Sequence, residues 1–180
     1  MQWVFLQTHY LIYFRQPDKE TATMVKYIFV AFFITSLGVF NSLAQQAFPI
    51  NQADSMGVSL EELDSLYQSG IHSDASKAVF GEQQEEYIAA YYSMLHELST
   101  YLNQNDFKWG GQIRCFNRIY FAEDGKIDYF LYNFKAGEIS PEQEASFQAL
   151  LSKFIENYKF SLSNNKKFAQ CSPVNYRDAI

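Results

Sequence analysis

The sequence predicts an α+β domain: two N-terminal helices, then a β-hairpin, a helix and a short strand, with helices mainly on one face of a three-stranded antiparallel sheet. Apolar residues recur at three- and four-residue spacing in separate stretches before Ile113 and after Ser140. Two runs dense in β-branched and aromatic residues, Ile113 to Phe121 and Lys126 to Phe134, flank the turn-forming Glu123-Asp124-Gly125. The composition, 48% hydrophobic and 18% aromatic with 19% charged, is that of a globular chain rather than a disordered or fibrous one.

Ahead of the domain runs "MVKYIFVAFFITSLGVFNSLAQQ", beginning at Met24. A positive charge at Lys26, an apolar middle from Tyr27 to about Phe40 and the small-residue exit Ser42-Leu43-Ala44 form the layout of a secretory signal peptide cleaved after Ala44. The competing reading is an uncleaved membrane anchor, because the run approaches the roughly 18 to 20 apolar residues that span a bilayer. The expected organisation is an upstream extension or misassigned start (1–23), a signal peptide (24–44), a flexible leader (45–57), one domain (58–174) and a loose tail (175–180). Export makes the compartment periplasmic or extracellular. A net charge of −6 and a pI near 5.0 provide no basic field for nucleic acid.

The first helix starts at Ser59, which with Glu62 forms a capping box, and Gly70 suits its exit; Leu60, Leu63, Leu66 and Tyr67 share a face. The longest helix lies in "EQQEEYIAAYYSMLHELSTYLNQN", with Ile88, Tyr91, Leu95, Leu98 and Leu102 as its apolar stripe and acidic residues in the first turn, where the helix dipole favours them. "DFKWGGQ" turns the chain out of it.

In the hairpin, Gly125 supplies the positive φ of a three-residue loop, which pairs Phe121 with Ile127, Ile119 with Tyr129 and Asn117 with Leu131. A two-residue turn would shift every pairing. In the first register one face holds Ile113, Cys115, Ile119, Phe121, Ile127, Tyr129 and Leu131 as a core. The other interleaves Arg114 and Arg118 with Phe116, Tyr120, Phe130 and Tyr132, a candidate ligand or partner surface because arginine stacks on aromatic rings. Such a face must be covered by the first helix, a second subunit or a ligand. The carboxylates Glu123, Asp124 and Asp128 read as turn chemistry rather than an acid–base pair.

Ser140, Pro141 and Gln143 open the last helix, whose stripe is Phe147, Leu150, Leu151, Phe154, Ile155 and Tyr158. "KKFAQCS" is a short strand stopped by Pro173. A strand returning through a crossover helix runs parallel to the one before that helix, and if it lies beside the first strand the sheet is antiparallel with order second, first, third, the order expected here. That order would bring Cys115 and Cys171 side by side, and an exported protein with an even cysteine count suggests a disulfide, with two free buried thiols as the alternative.

The segment Ile113 to Ser172, through "NRIYFAEDGKIDYFLYNF" and the helix and strand after it, resembles the C-terminal domain of TonB-type energy transducers, and "SLAQQ" is similar to the signal-peptide exits of Bacteroidota. The TonB likeness implies an envelope protein that binds peptide strands. Neither His72 with Asp74 nor His96 has companions at metal-ligand spacing, and no catalytic or phosphate-binding motif is present, so no metal or cofactor is implied. The expected function is an exported cell-envelope binding or interaction module whose partner is an envelope protein, a peptide, a glycan or a second copy. The alternative is a periplasmic or secreted hydrolase or carbohydrate-active enzyme without a readable active site.

Overall fold

The computed structural model describes residues 45–178. The upstream extension (1–23) and the signal segment (24–44) lie outside the described residues, as do Ala179 and Ile180. The element order is β1 (Gln46–Pro49), α1 (Leu60–Leu66), β2 (Gln68–Ser69), α2 (Gln84–Gln104), β3 (Ile113–Phe121), β4 (Ile127–Phe134), α3 (Pro141–Asn157) and β5 (Phe168–Tyr176). Short 3₁₀ turns lie between β1 and α1 and ahead of α2.

The domain is α+β, built on one mixed five-stranded sheet of order β1-β4-β3-β5-β2. β3 is antiparallel to β4 and β5, while β1 pairs in parallel with β4 and β2 with β5. This corrects the expected three-stranded antiparallel sheet behind two N-terminal helices. The chain opens with a strand, and β2 separates α1 from α2. Gln45 to Gly57, expected as a flexible leader, instead supplies β1 and two 3₁₀ turns. Phe48 is buried there, and the Gln45 side-chain amide donates to the carbonyls of Ile127 (2.9 Å) and Ile155 (2.7 Å). Four residues ending in proline carry too little alternation to announce a strand; β1 gets its identity from pairing with β4.

The helix starts follow their caps. Ser59 Oγ accepts from the Glu62 N–H and Ser140 Oγ from the Gln143 N–H, each at 3.2 Å. α1 ends at Leu66, because Tyr67 turns extended and leads into β2. In α2 the buried stripe is Tyr87, Ala90, Tyr91, Met94, Leu98 and Leu102, leaving Ile88 40% exposed.

The two sheet faces are covered separately. α2 and α3 close the larger core over Ile113, Cys115, Ile119, Phe121, Phe130 and Tyr132. Phe48, Val58, Leu63 and Tyr67 close a smaller one over Tyr120, Tyr129, Leu131 and Ala169.

One residue accounts for the difference from the expected faces. Gly125 has φ 88° and donates to the Ala122 carbonyl at 3.0 Å, so the turn forms as read. A Cβ there would stand 2.8 Å from the Phe160 carbonyl oxygen, which keeps the site to glycine. Phe121 faces Ile127, but Tyr120 faces Tyr129, leaving Asp128 unpaired in a β-bulge. Beyond it β4 is inverted: Phe130 and Tyr132 enter the larger core, and Tyr129 and Leu131 the smaller.

β5 also differs from its expected end, continuing through Pro173 to Tyr176. Residues 175–178, expected as part of a loose tail, are tied down: β5 runs to Tyr176, and Asp178 accepts from the backbone N–H groups of Trp109 (2.7 Å) and Gly110 (3.1 Å). The expected Cys115–Cys171 disulfide is absent; both thiols are free. On antiparallel β3 and β5, Cys115 faces Val174 and Cys171 faces Arg118, three positions apart. They also point to opposite faces, Cys115 into the larger core and Cys171 to the side of Arg118 and Ala169.

Candidate functional site

The residues expected on one open arginine–aromatic face are divided by the bulge and by α1. Phe130 and Tyr132 are fully buried beneath α2 and α3. Tyr120 is fully buried on the other side, its hydroxyl donating to Asp64 of α1 at 3.0 Å. Arg118 forms an ion pair with the same carboxylate and lies over the Tyr120 ring, 5.9 Å from its centroid. Arg114 is turned to Glu138, its Nε donating at 2.7 Å, and that contact holds the Glu138 carboxyl below its usual range. Only Phe116, 40% exposed, remains an open aromatic of the set. This face is mostly a lid contact for α1.

The open concavity lies along β5. A groove of about 530 Å³ runs between that strand and α2, with Gln170, Ser172, Val174 and Tyr176 as its floor and Ile88, Tyr92, Leu95 and His96 on its wall. α2 and β5 run the same way along it. At one end a Cβ on Gly70 would lie 2.5 Å from the Tyr87 ring; midway the Tyr91 hydroxyl bonds Ser172 Oγ at 2.6 Å; at the other end Ser99 and Arg177 line the cavity together. Ile88 and Tyr92, 40% and 66% exposed, leave the wall apolar and open.

The backbone of β5 is open as well. β3 pairs with all nine residues on one side, whereas β2 pairs only with Phe168 and Ala169 on the other. Lys135 N–H donates to Arg114 O, so even-numbered residues of β3 point to β4 and odd-numbered ones to β5. In β5 the even-numbered residues therefore bond β3, and Cys171, Pro173 and Asn175 point outward. The bonds of the Gln68 and Gly70 N–H groups to the Lys167 and Ala169 carbonyls agree with this phase. None of the outward groups has a backbone partner among the described residues. Pro173 thus costs the β3 ladder nothing, which is why the strand runs through it.

The opposite edge is treated differently. β1 is four residues long and ends in Pro49, and Gln148 of α3 donates to the Ala47 carbonyl at 3.2 Å. One edge is short and capped, the other long and open.

No known protein family, characterised protein or solved structure matches this chain.

The reactive side chains do not converge. Burial pushes the Cys115 thiol up to about 12, far from a thiolate at neutral pH, and its Sγ is hydrogen-bonded to Asn117 Oδ1 at 3.3 Å. His72 Nδ1 accepts from the Asp74 N–H at 2.9 Å, while Asp74 itself caps a 3₁₀ turn through Ser76. Asp124 accepts from the Lys126 N–H, and Asp128 accepts from the Tyr67 hydroxyl at 2.7 Å. Among the described residues no cluster of three metal-ligating side chains occurs. Also among the described residues, no helix is long and apolar enough to cross a membrane.

Sequence reasoning missed the groove, although two signals were present. Ile88, Tyr92 and Leu95 form a second apolar stripe beside the Tyr87-Tyr91-Met94-Leu98 stripe, an apolar arc wider than one sheet contact requires. A proline inside a strand pattern marks an edge rather than an end.

Proposed function

We propose that this domain is a protein-interaction module that takes up an extended segment of another protein as an added strand on β5. The observation that carries the reading is the unpaired outer edge of β5 from Gln170 to Tyr176, lying in a groove whose α2 wall exposes Ile88 and Tyr92. Main-chain hydrogen bonds to Cys171, Pro173 and Asn175 would supply affinity, and alternate side chains of the guest would meet the α2 wall and supply specificity. Seven residues of open strand match a guest of about seven residues, roughly 23 Å long. The envelope setting read from residues 24–44 and the TonB-like pattern of Ile113 to Ser172 belong to the same proposal.

The test is a random heptapeptide library screened against the protein, followed by amide exchange with the best binder. Slowed exchange at the Cys171 and Asn175 amides supports the reading. Binding that leaves these amides unprotected, or no enrichment of apolar heptapeptides, overturns it.

A further inference from the structure

An open edge accepts any compatible strand, and the most abundant compatible strand near one copy of this protein is the β5 edge of another. The position of Pro173 bears on that competition. It is one of three outward-facing residues of the open stretch and the only one lacking an N–H to offer. A foreign strand laid on β5 loses one hydrogen bond to it. In a two-fold pairing of two β5 edges the proline occurs twice.

The register that uses the whole stretch places Cys171 opposite Asn175 of the other copy and the two Pro173 residues opposite each other. The central pair then forms neither of its two hydrogen bonds, because each Pro173 carbonyl oxygen faces a proline nitrogen that has no hydrogen to donate. Shifting the pairing toward Ala169 runs into β2, whose Gly70 N–H already occupies that carbonyl. We propose that Pro173 makes the β5 edge selective for a foreign strand by excluding a second copy of the chain. This rests on the strand-addition reading of the groove.

The remaining lining states what the foreign strand is. The groove lining carries His96 and Arg177 and no acidic side chain; the neighbouring Asp178 is engaged by the Trp109 and Gly110 N–H groups, and Arg177 makes no ion pair among the described residues. Ile71, Ile88 and Tyr92 line the remainder. The partner is an extended protein segment with apolar residues toward Ile71 and a carboxylate toward Arg177.

Disulfide trapping in the full-length chain tests the exclusion. Opposed residues of a bonded antiparallel pair have Cα atoms about 5.5 Å apart, within disulfide reach. In Asn175→Cys, self-pairing through the edge would link the new thiol to Cys171 of a second copy. With Pro173 kept, the expected result is monomer on a non-reducing gel. With Pro173→Val added, the linked dimer appears at roughly ten- to a hundredfold lower protein concentration, from two recovered hydrogen bonds. Pro173→Thr repeats the measurement with a different strand-compatible residue, so that misfolding of one variant does not decide the outcome.

Equal trapping with proline present, or no trapping in either substituted background, overturns the proposal. Neither result touches the heptapeptide screen. Failure of that screen with successful trapping would remove the proposed function and with it the foreign-strand assignment.

Discussion

Trp109 stacks face to face on Tyr176, with ring centroids 4.8 Å apart and planes 13° from parallel, directly beside the carboxylate of Asp178 that receives the Trp109 N–H. The end of β5 is therefore fastened to the loop between α2 and β3, closing the Arg177 end of the groove from behind. Trp109→Ala is expected to lower stability by about 3–5 kcal/mol and Asp178→Ala by about 1–2 kcal/mol. Urea midpoints check both. An Asp178→Ala midpoint equal to wild type would show that this anchor contributes nothing.

Tyr120→Ala and Arg118→Ala separate packing from charge on the α1 side. Tyr120 is fully buried against Tyr67 and Tyr129, so its removal is expected to cost about 3–5 kcal/mol. Arg118 pairs with a half-exposed Asp64, and its Nε is buried without a partner, a desolvation cost that offsets the ion pair. Its replacement should cost about 1 kcal/mol or less. Thermal melts of the two variants, run side by side, give the order directly.

The two thiols should differ in reactivity. At pH 8 an aromatic disulfide reagent is expected to titrate Cys171, which is exposed, and to reach Cys115 only in denaturant. One thiol counted in the native protein and two in the unfolded chain is the expected result. The same burial sets an alkaline limit. The unfolded chain releases the Cys115 proton near its ordinary 9.0 and the folded chain only near 12, so this contribution is intact below about 9 and is lost as pH rises through that window. Burial likewise raises Tyr87, Tyr120 and Tyr132, which act in the same direction. Denaturation midpoints measured from pH 8 to 11 should fall steadily.

Ile88→Ala with Tyr92→Ala should leave the melting temperature nearly unchanged, because both side chains already stand in solvent, while weakening selected heptapeptides about tenfold or more. Arg177→Glu is expected to invert the charge preference of the selected peptides, from acidic to basic at that end of the groove. Calorimetric titration of one acidic and one basic peptide checks this. An unchanged preference would remove Arg177 from the site.

Features decided within a few residues were legible in the sequence. Ser59 with Glu62, Ser140 with Gln143 and the φ of Gly125 all reflect groups that satisfy one another locally. The bulge at Asp128 was not legible, because an extra residue in a run of aromatics leaves the composition of both faces equally apolar. β1 and β2 are short and exist only through partners tens of residues away. The groove brings together Ile88 and Val174, which no local pattern relates, and the disulfide failed because strand adjacency fixes neither the register nor the face of a cysteine.

The cap that Gln148 places on β1 has a consequence for assembly. Subunits with two sticky borders add to each other without limit and grow into filaments. With β1 short and capped, a strand docking on β5 would add to the sheet at one border alone, because β1 offers no matching edge to a next subunit. On the strand-addition reading, the protein would finish another molecule's sheet without propagating its own. Breaking the seal, with Gln148→Ala and Pro49→Val together, should open β1 as a second border, so that a selected heptapeptide binds at two sites instead of one in calorimetric titration.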